Sequence, residues 1–320
     1  MPAERDKPRV FATRSFPERV RAELERSFEL DLHDSEWPPS REELLARAAG
    51  ADGLMTMLTD RIDDELLDAA GPQLRVVANY AVGFENIDVE ACTRRGVVAT
   101  NTPGVLTAAT AELTMALLLA LVRRVAEGDR LVRRREPWIW GPNMMLGTGL
   151  AGKRLGLVGY GRIGQAVAEL ARAFGMEVVY TRRSGGLPLE ELLRSADVVS
   201  LHLPLSAETH HLIDERALSL MKPTAVLVNT SRGPIVDEAG LARALAEGRI
   251  VGAALDVFER EPEVTEELLS LENVVLSPHL GSATLETREA MGMLCVEALR
   301  AVLLEGRVPA NALNPDAWGG

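Results

Sequence analysis

One stretch of this chain admits few local folds. The apolar run Leu155-Gly156-Leu157-Val158 leads into Gly159-Tyr160-Gly161-Arg162-Ile163-Gly164, which is left through Ile163, Ala166, Val167, Leu170 and Phe174, an apolar face at helical spacing. Strand, tight glycine turn, then helix is the setting in which such a fingerprint holds the pyrophosphate of a dinucleotide. The first glycine allows the turn, the second lets the backbone approach the phosphate, and the third lets helix pack on strand. The phosphate charge then meets N–H groups at the helix start. The motif points to a nicotinamide or flavin nucleotide.

Bulk properties narrow the class. At 320 residues the chain is expected to form two domains, because a single core rarely grows beyond about 250–300 residues. A formal net charge of −12 disfavours nucleic acid and anionic membranes as partners. The longest apolar run, residues 115–122, is far short of the roughly 20 residues a membrane span needs. The charged N-terminus, Met1-Pro2-Ala3-Glu4-Arg5-Asp6-Lys7, lacks the apolar core of a signal peptide. Cys92 and Cys295 form no C-x-x-C pair and read as reduced, buried thiols of a cytoplasmic protein.

Strand-like and helical stretches alternate throughout, the mark of an α/β protein with parallel sheets. In the first hundred residues, strands are expected at 9–12, 28–32, 53–57, 74–78 and 97–100, with a helix at 41–49 opened by Ser40 as N-cap and Glu43 three residues on. A long helix follows from 107 to 126. Its middle is apolar nearly all round, which implies burial in a large core or between subunits, and in a chain of this size a domain or dimer interface is the expectation. A second series of strands is expected at 155–158, 177–180, 198–201, 225–229, 251–255 and 274–276, and a last helix at 283–305.

Ligands of open α/β sheets collect at the carboxyl ends of strands. Arg232, Glu261 and His279 each follow a strand of the second series, at 225–229, 251–255 and 274–276. A guanidinium can hold a carboxylate through two hydrogen bonds and polarise a neighbouring carbonyl. A histidine can give a proton to a ketone oxygen as hydride arrives at its carbon. A carboxylate against that histidine fixes its tautomer and favours its protonated form. The set describes hydride transfer between a nicotinamide and a 2-oxo acid.

At these residues the sequence resembles the D-isomer-specific 2-hydroxyacid dehydrogenases. The matching segments are Val158-Gly159-Tyr160-Gly161-Arg162-Ile163-Gly164-Gln165, Leu227-Val228-Asn229-Thr230-Ser231-Arg232-Gly233 with Val236-Asp237, Leu255-Asp256-Val257-Phe258-Glu259 with Glu261-Pro262, and Ser277-Pro278-His279-Leu280-Gly281. Tyr80-Ala81-Val82-Gly83-Phe84 and Asn101-Thr102-Pro103-Gly104-Val105-Leu106-Thr107 extend the resemblance over nearly the whole chain. It implies two doubly wound, Rossmann-like and flavodoxin-like domains with the active site in the cleft between them: an outer, substrate-binding one from residues 1–99 plus 288–320, and a dinucleotide-binding one from 100–287. Domain closure would exclude water.

By the same resemblance Arg232 binds substrate, His279 is the acid/base and Glu261 its partner. The backbone at Val82 and Gly83 holds the substrate carboxylate, with Ser282 also at the substrate. Asp256 accepts from the nicotinamide carboxamide, and Thr107, Leu203, Pro204, Thr209, Thr230, Ser231, His279 and Gly281 line the cofactor beside Gly159, Gly161, Arg162, Ile163 and Gly164. One departure is Ala108, where the family often has aspartate; it touches a local hydrogen bond at the helix start, not the chemistry.

Cofactor preference is written after the second strand of the nucleotide domain, where a carboxylate would bind the ribose 2′-hydroxyl. Here Tyr180 runs into Thr181-Arg182-Arg183-Ser184. With no carboxylate and two guanidiniums, the segment predicts NADPH in preference to NADH. Trp138-Ile139-Trp140-Gly141-Pro142 looks like the tryptophan segment of glyoxylate/hydroxypyruvate reductases. There, Trp140 would reach the active site of the partner in a homodimer formed through the nucleotide domain. The expected substrates are therefore glyoxylate and hydroxypyruvate. The rivals are a D-lactate or short phosphoglycerate dehydrogenase and a nucleotide-sensing corepressor. A formate dehydrogenase would have glutamine where Glu261 stands.

Other residues read as structural. His210-His211 are neighbours that diverge on a helix, and no Cys/His cluster suggests a metal. His202 reads as structural, His33 shows no partner, and Arg133-Arg134-Arg135 reads as a solvated face.

Overall fold

The computed structural model describes residues 7–319; residues 1–6, read above for a leader, lie outside the described residues. The chain divides into two compact units, residues 7–106 with 283–319, and Thr107–Ser282. These divisions differ from the expected 99/100 and 287/288 for local reasons. Thr102 N–H donates to Ala81 O (2.8 Å) and Asn101 Nδ2 to Val82 O (2.7 Å), which holds this segment to the first sheet. Thr284 Oγ1 accepts from Thr287 N (3.2 Å) and so begins the helix Leu285–Leu303.

The first unit contains β1 (Arg9–Ala12), β2 (Glu29–Leu32), β3 (Gly53–Thr56), β4 (Val76–Asn79) and β5 (Val98–Thr100), all parallel, in the order β2-β1-β3-β4-β5. This is one of the two common doubly wound orders. Successive side chains of a strand point to opposite faces, and here both faces are covered. Phe11, Leu54, Val77 and Ala99 enter one core; Val10, Ala12, Met55, Val76, Ala78 and Val98 enter the other. That second core is closed by Met291, Cys295, Val296, Leu299 and Val302 of Leu285–Leu303. Asn314 accepts from Ala99 N and donates to Val97 O (2.8 and 3.0 Å). The helix foreseen at 41–49 spans Arg41–Ala48, and Ser40 Oγ accepts from Glu43 N as expected.

The second unit contains β6 (Arg154–Val158), β7 (Glu177–Arg182), β8 (Gly185–Gly186), β9 (Val198–Leu201), β10 (Val226–Asn229), β11 (Gly252–Leu255) and β12 (Val274–Leu276), ordered β12-β11-β10-β9-β6-β7-β8. All pairings are parallel except β7 with β8. The order reverses at β6, whose neighbours are β7 and β9, so a crevice opens beyond their carboxyl ends. Its buried strands read as near-continuous apolar runs because helices cover both faces.

The single helix expected from 107 to 126 is two, Thr107–Val122 and Val125–Arg133. The break has a cause in the backbone. Thr148 N–H takes the Val122 carbonyl (2.8 Å) that the next turn would need, and Arg124 turns into the left-handed region at φ 55°. The first helix is buried in its own unit's core through Ala111, Met115, Leu117, Leu118 and Val122, packed with Val167, Ala168 and Ala171 of Arg162–Ala173. Among the described residues no helix is long and apolar enough to cross a membrane. Cys92 and Cys295 are free and buried, and burial pushes the Cys92 thiol up to about 12.

Candidate active site

The three glycines of the fingerprint meet three different constraints. Gly159 has φ 98°, and a Cβ there would lie 2.3 Å from the His202 carbonyl oxygen. A Cβ on Gly164 would lie 2.5 Å from Gly159 O, so the third glycine is required where helix crosses strand. Gly161 differs: a Cβ there would meet nothing within 4 Å. Packing within the chain therefore does not explain Gly161, and the space above it is a cradle that a side chain would fill. Gly161 is also the N-cap of Arg162–Ala173, and no side chain caps that helix. Bare N–H groups beside an open glycine fit the pyrophosphate of a dinucleotide.

Around this loop, Gly159 N donates to Thr181 O (3.0 Å), which brings the end of β7 alongside. Beyond it Arg183 and Ser184 form the two-residue turn of a hairpin, with Arg182 paired to Gly185 in register. Arg182, Arg183 and Ser184 are exposed, and the Arg182 guanidinium lies 5.7 Å from the Tyr180 ring centroid. Arg183 has an ion pair to Glu208 at 3.5 Å with its side chain 92% exposed. On the other side, Thr209 Oγ1 donates to Pro204 O (2.8 Å) and shapes the turn after Leu203. His202 is structural here: its Nε2 pairs with Ser200 Oγ at 2.9 Å, and burial draws the imidazole down to about 4.

The loops after β10, β11 and β12 form one rim. Asn229 is buried; its Nδ2 donates to Arg232 O (2.9 Å) and its Oδ1 accepts from Ser231 N (3.0 Å) and Ser231 Oγ (2.9 Å), closing the turn that presents Arg232. Gly233 follows in near contact with the next loop. A Cβ on it would lie 1.9 Å from the Phe258 carbonyl, so only glycine lets the two loops meet. In that next loop Phe258 N donates to Glu261 Oε1 (3.0 Å), while Glu261 Oε2 faces His279 Nδ1 at 2.8 Å. Burial works to raise the Glu261 carboxyl. The hydrogen bond and charge of His279, the Phe258 N–H and the charge of Arg232 outweigh it, so Glu261 lies below the usual carboxylate range.

His279 sits at φ 54°, a conformation that non-glycine residues avoid. Buried Asp256 holds it there: Asp256 O accepts from His279 N (2.8 Å), and the carboxylate accepts from Leu280 N (2.7 Å) and Gly281 N (2.8 Å). Burial raises the Asp256 carboxyl against these donors and the Ser277 hydroxyl. The backing of this rim was hidden in the sequence. Within the otherwise apolar helix Thr107–Val122, Thr110 Oγ1 donates to Gly281 O (2.9 Å) and Thr114 Oγ1 meets Thr230 Oγ1 at 2.8 Å. Thr107 is half-buried at the start of that helix, with exposed Ala108 after it.

In the first unit, Asn101 holds the Val82 carbonyl, and Asn79 Nδ2 donates to Gly83 O (3.0 Å). In a trans peptide the N–H points opposite to the carbonyl, so the Gly83 N–H is turned away from Asn101. A buried pair, Arg14 with Asp60 at 3.1 Å, stands just beyond the carboxyl ends of β1 and β3, and Asp60 also accepts from Met57 N (2.8 Å). Nothing in the spacing of Thr13-Arg14 signals it. His33 does have partners, Glu43 at 3.1 Å and Trp37 O at 3.2 Å.

Trp138, Ile139 and Trp140 are 60%, 82% and 84% exposed, and Arg133-Arg134-Arg135 is a solvated face as expected. The reading of His210 and His211 needs correction. They lie in a turn, not a helix, and His211 at φ 50° stacks its ring on that of His210 with centroids 4.1 Å apart. With Glu259 they form the cluster of candidate metal ligands found among the described residues.

Known proteins are similar to this chain. Residues 115–281 match the D-isomer specific 2-hydroxyacid dehydrogenase, NAD binding domain. A glyoxylate reductase of Thermococcus litoralis is 49% identical, over 97% of this chain and 98% of its own. A crystal structure from Thermus thermophilus superposes with TM-score 0.91 at 48% identity, covering 95% of this chain and 99% of that one. An NADPH-dependent glyoxylate/hydroxypyruvate reductase of Sinorhizobium meliloti, solved with NADP and malonate, superposes with TM-score 0.81 at 33% identity over 98% of both chains. With its glycine cradle, its Arg232, Glu261 and His279 loops and this similarity over nearly its full length, the chain belongs to the D-isomer specific 2-hydroxyacid dehydrogenases, NAD(P)-dependent oxidoreductases that reduce 2-oxo acids.

Proposed function

We propose that this protein reduces glyoxylate and hydroxypyruvate with NADPH, hydroxypyruvate giving the D-2-hydroxy acid. The observation that carries the reading is the 2.8 Å pair of His279 Nδ1 and Glu261 Oε2 on a rim shared with Arg232. With Nδ1 engaged by a carboxylate, Nε2 is the nitrogen left to face substrate. NADPH supplies the hydride to the carbonyl carbon when bound. His279 then gives the Nε2 proton to the carbonyl oxygen, and the imidazolium is stabilised by ionised Glu261 until it becomes neutral. Arg232 grips the carboxylate and draws electron density from the adjacent carbonyl. Val82, Gly83 and Ser282 are the further substrate-binding positions of this proposal.

The cofactor lies on Gly161 and the first turn of Arg162–Ala173, along Thr107, Leu203, Pro204, Thr209, Thr230, Ser231, Asp256 and Gly281. Support for NADPH comes from the hairpin at the end of β7, where Arg182 and Arg183 are exposed and the segment itself carries no carboxylate, Glu208 reaching Arg183 from the turn after β9. The NADPH-dependent enzyme of Sinorhizobium meliloti supports the same choice. Exposed Trp138, Ile139 and Trp140, with Val125, Val132 and Leu146, favour a homodimer through the nucleotide-binding unit, Trp140 reaching the partner's site. Two free buried thiols accord with work in the cytoplasm.

The test is kcat/KM for NADPH and NADH with glyoxylate, hydroxypyruvate and pyruvate. NADPH with the first two should be best. A clear NADH preference, or brisk turnover of pyruvate without either other acid, overturns the reading. Arg182→Asp should lower kcat/KM for NADPH by about 10–100-fold while sparing NADH, the loss of a charge-assisted hydrogen bond of about 1.5–3 kcal/mol.

A further inference from the structure

Outside the rim, His210, His211 and Glu259 bring one ligand atom each within 4.8 Å of one another. We propose that these three side chains form a binding site for a late first-row divalent cation such as Zn²⁺. Two imidazole nitrogens and one carboxylate oxygen suit zinc, nickel or copper, not the all-oxygen shells of calcium and magnesium. Ligands on one zinc sit about 2.0–2.2 Å from it, so neighbouring donor atoms lie roughly 3.4 Å apart. His211 Nε2 and Glu259 Oε1 are now 2.6 Å apart and need only separate slightly to admit the ion. Solvent fills the fourth position.

Two of the three ligands are already fixed. His211 N donates to Pro234 O (2.8 Å). Glu259 exchanges contacts with buried Glu238, its N donating to Glu238 Oε2 (2.8 Å) and its Oε2 accepting from Glu238 N (3.2 Å). His210 is exposed and swings in as the third ligand. Neighbouring histidines usually point apart; the left-handed turn at His211 is what stacks them on one side, toward Glu259.

The site joins the turn after β9 to a loop of the rim. His210 and His211 follow the turn from Leu203 to Thr209 after β9, and Glu259 stands two residues before Glu261 in the loop after β11. Pro234, which holds His211, follows Arg232-Gly233 after β10. A bound ion therefore ties the turn after β9 to the loop after β11, and through the His211 N–Pro234 O hydrogen bond it also reaches the loop after β10. This inference stands apart from the choice of substrate and cofactor.

Isothermal titration of chelator-treated full-length protein with Zn²⁺ alone tests it, with thermal melting alongside. One ion per chain should bind and raise Tm. His210→Ala, at an exposed position, should leave the metal-free melt unchanged. It should also weaken Zn²⁺ binding by about 100-fold or more, since loss of an outer-shell partner alone costs roughly 10–100-fold. Glu259→Gln should weaken it likewise. Binding of less than one ion per chain, or equal binding by wild type and His210→Ala, overturns the proposal; the latter would move the ion to another site, such as His279 with Glu261.

Discussion

Each carboxylate oxygen of Glu261 has its own donor, Phe258 N for one and His279 for the other, so the side chain cannot turn away from the imidazole without losing both. Because these donors hold it below the usual carboxylate range, its ionised form persists into acid. A carboxyl lowered on folding stabilises the protein above its unfolded value near pH 4.3, and that contribution fades as pH falls through the lower folded value. Glu261→Gln should therefore flatten the acid limb of Tm against pH. It should also reduce kcat by about 10–100-fold with little change in cofactor KM, a fraction of the roughly 10²–10⁴-fold that general acid catalysis supplies. An unchanged pH profile of kcat would sink the coupling. The placement of Arg232, Glu261 and His279 on one rim was legible because each stands in a loop that follows a strand. Thr110 and Thr114 were not, since a helix read for its apolar face hides two hydroxyls that matter only once Gly281 and Thr230 are beside them.

Loops and their glycines decide the next level. Gly161 and Gly233 look alike in sequence but have opposite surroundings, open space at one and a backbone carbonyl that would lie 1.9 Å from any Cβ at the other. Gly161→Ala should keep Tm within about 2 °C yet weaken cofactor binding by about tenfold or more, because the methyl occupies the approach of the pyrophosphate. Gly233→Ala should cost about 1–3 kcal/mol or more in stability through overpacking. Thermal melts and fluorescence titration with NADPH separate the two, and equal effects would refute the distinction. Strand positions were readable from apolar runs, and the Ser40 cap from its spacing to Glu43. The two-residue strand Gly185–Gly186 was not, having no side chains to alternate. Nor was the helix break near Arg124, which depends on Thr148, far along the chain, taking the Val122 carbonyl. His210 and His211 misled because they lie in a turn closed on Ser206 and Thr209, with His211 N also held by Pro234 O.

Over the whole molecule, the doubly wound class follows from parallel strands buried on both faces, which the alternating runs announced. What no periodicity gives is which units cover which surfaces. Trp138 and Trp140 are large aromatic groups left in solvent on the second unit, and a buried Trp at an interface contributes about 2 kcal/mol or more. Sedimentation should find a dimer, and Trp140→Ala should raise its dissociation constant roughly 30-fold. A wild-type monomer at micromolar concentration would end the dimer proposal.

The first sheet draws one of its two cores from the helix Leu285–Leu303 and an edge clasp from Asn314. On the ribosome, then, strands β1 to β5 emerge with one apolar face only partly covered, by Val20, Leu24 and Phe28, and it stays so while the entire nucleotide-binding unit is synthesised. The middle of the chain can fold before its beginning, and the amino-terminal segment must be shielded until the closing helix arrives.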